Sequence, residues 1–225
     1  MRLALTFIIS SLFLLAVAVL YDVNYINYES PRPYAEWTKI NFYDFRGLKK
    51  PGMKLQGIAE FAYIKTNRRI DYLSNGNVEI TTYFYRSKSY VFAQDIRNPD
   101  LLRHELYHFH ITEYFSRLLR RTIVQSRNQI TRKTIRNLNW QYYTLEDQMQ
   151  QQYDEDSDHS YVLQEQRRWE IKVDSLLYSL HEFSTPVVAI GNKEYNTLYL
   201  KKRPDEKILP AYFFNHLLHT YKLWW

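Results

Sequence analysis

The sequence predicts an α+β domain in which antiparallel strands come first and long helices follow. Three observations predict it. Residues 78–85 alternate, Val78, Ile80, Thr82 and Phe84 being interleaved with Glu79, Thr81, Tyr83 and Tyr85, the period of a strand with two unlike faces. From residue 99 onward apolar residues recur at helical spacing, in three long stretches. With 45% hydrophobic and 24% charged residues in a chain of 225, there is enough apolar surface for a core, which excludes a disordered or collagen-like chain.

The elements follow in order. Arg2 precedes nineteen uncharged residues, Leu3 to Tyr21, and Ala16-Val17-Ala18 fits a small-x-small cleavage pattern. Residues 1–21 therefore read as a signal peptide or an N-terminal membrane anchor, with possible membrane association through residues 3–21. Either reading exports the remainder to the periplasm, the cell envelope or the extracellular space. Pro31 and Pro33 mark a polar connector, and Trp37 to Phe45 is a short aromatic-rich element closed by Gly47 and Pro51-Gly52. A strand is expected over 59–66, a tight turn at Asn75-Gly76 and a return strand over 78–85, together a hairpin within about 58–92.

Asn98-Pro99-Asp100 is a helix start: an Asn cap, Pro at the first helical position and an acid in the first turn. That helix should run to about Ile123, with a second from Gln129 to about Gln152 and a third from Tyr161 to about His181. Pro186 and Gly191 interrupt the pattern. A strand-like piece at 195–200 and an amphipathic end at 211–225 follow. The domain is expected over 22–185, with 186–225 as a C-terminal extension.

The chain has no Cys, which excludes a disulfide scaffold, a Cys zinc finger, an iron–sulfur site and a thiol nucleophile. Any transition metal must be held by the seven His and by carboxylates. A net charge of +6 balanced by 24 acids is only mildly basic, so nucleic acid is not an expected partner. Charge is segregated: Arg117, Arg120, Arg121, Arg127, Arg132, Lys133 and Arg136 lie in an acid-free run, and six acids follow between Glu146 and Asp158. The basic run reads as a solvated helix face.

The first long helix carries His104-Glu105-Leu106-Tyr107-His108, an H-E-x-x-H motif. Two His four residues apart project from one helix face, one turn above the other, so both rings can reach one metal ion. Glu105 lies beside them, suited to accept a proton from a water without being a ligand itself. His110 points to the opposite side, and Glu113, five residues past His108, is about 140° around the helix. Neither serves the same ion, so a third ligand must come from elsewhere in the chain.

His104-Glu-Leu-Tyr-His108-Phe109-His-Ile111-Thr-Glu113, followed by Arg117, resembles the signature of a bacterial family of uncharacterised, predicted secreted zinc-dependent proteases. A second signature of that family, roughly Tyr-Asp-x-x-Thr-x-His-Gly before a helix with Gln and Trp, is similar to Tyr153-Asp154-Glu155-Asp156-Ser157-Asp158-His159-Ser160 with Gln166 and Trp169. Ser89-Tyr90-Val91 is similar to its Ser-Trp-Val. The likeness spans about residues 37–180, with Leu106, Tyr90, Ser157 and Ser160 departing from the family's Gln, Trp, Thr and Gly. It implies a zincin-like fold with the hairpin beside the motif helix, and it implies His159 as the third zinc ligand.

The expected function is that of an exported zinc metallohydrolase acting on a peptide or protein substrate. One zinc would be bound by His104, His108 and His159, with Glu105 as the general base and acid. Tyr153 is the candidate oxyanion donor, and Glu113 or Asp154 would orient a ligating His. The strand at 78–85 would pair with an extended peptide. Two other readings stay open: a non-catalytic, metal-stabilised envelope or binding protein that retains the motif, and a calcium loop. The spacing Asp154-x-Asp156-x-Asp158 with Glu165 imitates such a loop, although His159 stands where its glycine belongs.

Overall fold

The computed structural model describes residues 2–22, 29–47, 62–73, 77–92, 96–126 and 130–189. The expected turn at Asn75-Gly76, Arg127, and everything expected beyond 189, including the strand-like piece at 195–200 and the amphipathic end at 211–225, lie outside the described residues. Helix and antiparallel sheet are both present, as α+β requires.

Helix α1 (Arg2–Asp22) carries no charge between its first and last residues, and its described side chains, 5–17, are all exposed. Over the described residues alone, no helix is long and apolar enough to cross a membrane.

Strands β1 (Arg32–Pro33), β2 (Ala62–Tyr63), β3 (Thr66–Tyr72), β4 (Asn77–Phe84), β5 (Tyr90–Val91) and β6 (Val187–Ala189) form two antiparallel sheets. In the larger, β4 pairs with β3 along its length, Thr66 opposite Phe84 and Tyr72 opposite Val78. Its other side takes β6 at Asn77–Glu79 and β1 at Tyr83–Phe84. β2 and β5 make the second, two-stranded sheet. Tight passage of the chain beside β5 depends on Gly47: its N–H donates to the Ser89 carbonyl at 2.6 Å, and a Cβ there would meet that same oxygen.

This arrangement corrects the expectations for the sheet in two ways. The partner of β4 is not the apolar stretch 59–66 but Thr66–Tyr72, a strand dense in charge because its ions pair locally or inward: Arg69 with Asp71, and Arg68 with the buried Glu146. β4 is also the central strand, so it has no free edge to offer a peptide. Val187–Ala189 carries the sheet beyond residue 185.

Helices α2 (Pro99–Gln125), α3 (Arg132–Ser157) and α4 (Leu163–Ser179) pack on one another. The Asn98 side chain accepts from the N–H groups of Asp100 and Leu101 at 3.1 Å, and Thr131 caps α3 by accepting from Thr134. α2 is the central helix because it reaches all three apolar cores. Leu101 and Phe109 join Phe42, Phe45 and Phe84; Leu119 and Ile123 join Val78, Ile80 and Ile135; Ile111 and Phe115 join Trp169 and Val173. Burial on so many sides makes α2 a rigid platform, and any polar side chain it points inward must find partners.

Candidate metal centre

His104, Glu105 and His108 lie in the second and third turns of α2. His104 and Glu105 are buried, with 2% and 4% of their surface exposed. The C-terminal half of α3 crosses above them and supplies the residues that complete the cluster. His104 Nε2 and His108 Nε2 are 3.2 Å apart, and Asp154 Oδ1 lies 3.1 Å from the first and 2.8 Å from the second. Among the described residues this His104–His108–Asp154 set is the one group of three or more metal-ligating side chains that converge.

The other ring nitrogens determine what these atoms are. The Gln150 amide donates to the His108 carbonyl at 3.0 Å and to Thr112 Oγ1 at 3.3 Å, which turns its oxygen toward His108 Nδ1. Nδ1 of His108 is therefore an N–H, and in the neutral ring Nε2 is a lone pair facing Asp154. On His104, Nδ1 is 3.5 Å from Ser157 Oγ, whose own proton goes to the Tyr153 carbonyl at 2.6 Å. The same logic leaves His104 Nε2 without a proton. Two lone pairs and a carboxylate oxygen thus face one another within 3.2 Å, an arrangement that repels unless a cation or a proton sits among them.

A proton is one answer. Burial opposes charge on His108, but Asp154, its hydrogen bond, Glu105 and Gln150 together outweigh burial and raise His108 to about 9. Burial likewise opposes the charged form of Asp154, yet the charge of His108 and its hydrogen bond hold the carboxyl well below its usual range. Burial keeps His104 neutral, at about 4. A divalent ion is the other answer. Tetrahedral zinc with bonds of about 2.0–2.1 Å needs ligand atoms about 3.3 Å apart, and the triangle of 3.2, 3.1 and 2.8 Å approaches that face. The donor set fits zinc.

The remaining expected site residues take different places. His159 lines the cleft in front of the cluster, but its Nδ1 is 3.8 Å from Asp154 Oδ1 and its side chain is 35% exposed. It sits in a turn where Asp158, His159 and Ser160 have φ of 45°, 50° and 80°, left-handed backbone that disfavours side chains. Asp154, expected to orient a ligand, instead contributes a converging atom itself. Tyr153 is not in the cleft: fully buried, it stacks under His104 at 4.6 Å and edge-on to His108 at 5.1 Å. It props the two rings, and burial pushes its hydroxyl far above the ordinary tyrosine value.

Glu113 is far from both His side chains in its bonding. It accepts from Thr82 at 2.6 Å, Arg117 at 3.0 Å and Arg120 at 2.8 Å, and Arg120 in turn donates to the carbonyls of Ile80 and Phe183. Arg120, expected on a solvated face, is 1% exposed. His110 does face away, hydrogen-bonded to the Tyr34 hydroxyl at 2.7 Å. The calcium-loop spacing does not close, because Asp154 and Asp156 belong to α3 and Asp156 accepts from Trp169 Nε1 at 2.9 Å.

The cleft over the cluster has a volume of about 190 Å³. One wall is the segment 62–66; the other is the α3 stripe Tyr143, Asp147, Gln150 and Asp154. Gln150 and Tyr143 are the residues that sequence reading missed. The signal was available as the four-, three- and four-residue steps from Tyr143 through Asp147 and Gln150 to Asp154, but it shows nothing until α3 is laid across α2. No family model, no curated protein and no solved structure matches the chain.

Proposed function

We propose that the chain is an exported zinc-dependent hydrolase of peptide bonds. The observation that carries this reading is the triangle of two imidazole nitrogens and the Asp154 oxygen, with the buried Glu105 beside it at the floor of a cleft. His104, His108 and Asp154 would hold the ion. Bound zinc supplies a Lewis acid and lowers the pKa of its water to about 7. Glu105 takes the proton of the attacking water and passes it to the leaving amine. His159 lines the same cleft and supplies a ring N–H for charge developing on the carbonyl oxygen. Gln150, Ser157 and the Tyr153 ring hold the two histidines in the tautomer and orientation that ligation needs.

Two further features support the reading. The likeness to secreted zinc-dependent proteases falls on the residues that converge here, although it pointed to His159 for a place that Asp154 fits better. The uncharged segment 3–21 suits export or anchoring, and its described apolar side chains, within 5–17, are exposed on every side of α1.

The test is Glu105→Gln. Wild type is expected to bind about one zinc per chain and cleave peptides; the variant keeps the zinc and loses cleavage by several orders of magnitude. A wild type that binds zinc yet cleaves nothing across a broad peptide library is instead a metal-stabilised binding protein.

A further inference from the structure

The α3 wall of the cleft does not end at the metal-facing residues. Trp140, Tyr143, Asp147, Gln150 and Asp154 follow one another at three- and four-residue steps, so they form a single stripe along the helix. Its outer end is aromatic. The rings of Trp140 and Tyr143 are stacked, 6.1 Å between centroids and 19° between planes. Tyr143 lines the cleft, and Trp140 stands one turn further out with 68% of its surface exposed. A large exposed indole braced by a second ring is costly in water and well suited to receive apolar surface.

We propose that Trp140 and Tyr143 form a remote subsite for an aromatic or long apolar side chain of an extended polypeptide substrate. The inference rests on the hydrolase reading and adds the substrate class. Helix rise sets the reach: Asp154 and Tyr143 are eleven residues apart, which is about 16 Å along α3. An extended peptide advances about 3.3 Å per residue, so that distance takes about five residues. A dipeptide or tripeptide bound at the metal cannot touch the ledge, whereas an unfolded or extended protein segment can. Geometry on the opposite wall agrees, since 62–66 leads into β3, whose one strand neighbour among the described residues is β4. The substrate would lie between a strand edge and the aromatic stripe.

The test uses zinc-loaded Glu105→Gln protein and peptide hydroxamates of Ser and Ala, the metal-binding hydroxamate at either end and one Phe stepped away from it. Affinity should rise roughly three- to tenfold when Phe is about five residues from the hydroxamate, and not when it is adjacent. Trp140→Ala should remove that rise while leaving zinc content, melting temperature and the affinity of the Phe-free hydroxamate unchanged. A flat profile, or a profile that Trp140→Ala does not alter, overturns the subsite and leaves the metal site standing. If no hydroxamate binds at all, the metal reading itself fails and the subsite falls with it.

Discussion

Gln150 grips His108 at both ends, its amide nitrogen on the His108 carbonyl at 3.0 Å and its amide oxygen on the Nδ1 of the same residue's ring. One side chain from α3 thereby sets the backbone partner, the tautomer and the tilt of His108 on α2. Gln150→Leu should keep the fold and weaken zinc binding by about 10–100-fold, the usual effect of losing a ligand's outer partner. Competition with a chromophoric chelator measures it, and an unchanged affinity would remove Gln150 from the site.

Asp154 and His159 are the two candidates for the third position in the proposed metal site, and their geometry differs. Asp154 Oδ1 is within 3.1 Å of both His104 Nε2 and His108 Nε2, whereas His159 is bound to the cluster only through a 3.8 Å approach to Asp154. Asp154→Ala should therefore lose more than about 100-fold in zinc affinity, more than the outer-partner change does. His159→Ala should lose less than about tenfold in zinc affinity while depressing peptide hydrolysis by roughly 10²–10³. The opposite ranking would restore His159 as the ligand.

Glu113 is ion-paired with two arginines, one of them, Arg120, in a place water does not reach. With Arg120 at 1% exposure and Glu113 also at 1%, Glu113→Ala leaves a guanidinium buried without its counter-charge. The cost should be about 3–5 kcal/mol, read as a lowered midpoint in urea. Replacing Glu113 and Arg120 together by Leu and Met should recover much of it, because the pair is then removed rather than broken. Equal losses in the single and double variants would show that the network does not act as a unit.

Ser160 has φ of 80° at the end of the turn that presents His159. Left-handed backbone costs a side-chain-bearing residue about 1–2 kcal/mol, part of which Gly forfeits in chain entropy. Ser160→Gly should thus raise stability by up to ~1 kcal/mol in thermal unfolding, whereas Ser160→Val should lower it. A destabilised glycine variant would mean that the turn is not left-handed.

Local pattern accounts for what was legible in the chain. Asn98-Pro99-Asp100 starts α2 through interactions that span only three residues, and the i, i+4 step of His104 and His108 needs nothing beyond helical geometry to put both rings on one face. The alternation over Val78–Phe84 likewise defines β4. β3 was not legible, because a strand reading Thr-Asn-Arg-Arg-Ile-Asp-Tyr looks solvated until Glu146, 78 residues away from Arg68, is brought against it. His159 was singled out by the family resemblance, which matches residues along the chain and is silent on which way a turn of three left-handed residues aims them.

By itself, then, the sequence determined an α+β chain with an uncharged N-terminal segment, no thiol chemistry and two histidines plus a glutamate on one helix. Tertiary structure alone decided the rest: Asp154 rather than His159 against both imidazoles, Gln150 behind His108, Glu113 in an arginine network and Tyr143 with Trp140 along the cleft. The physical reason is range. Capping and periodicity act within one or two turns, whereas the crossing of α3 over α2 is set by burial of the two apolar cores that both helices enter, and that crossing joins residues about fifty positions apart.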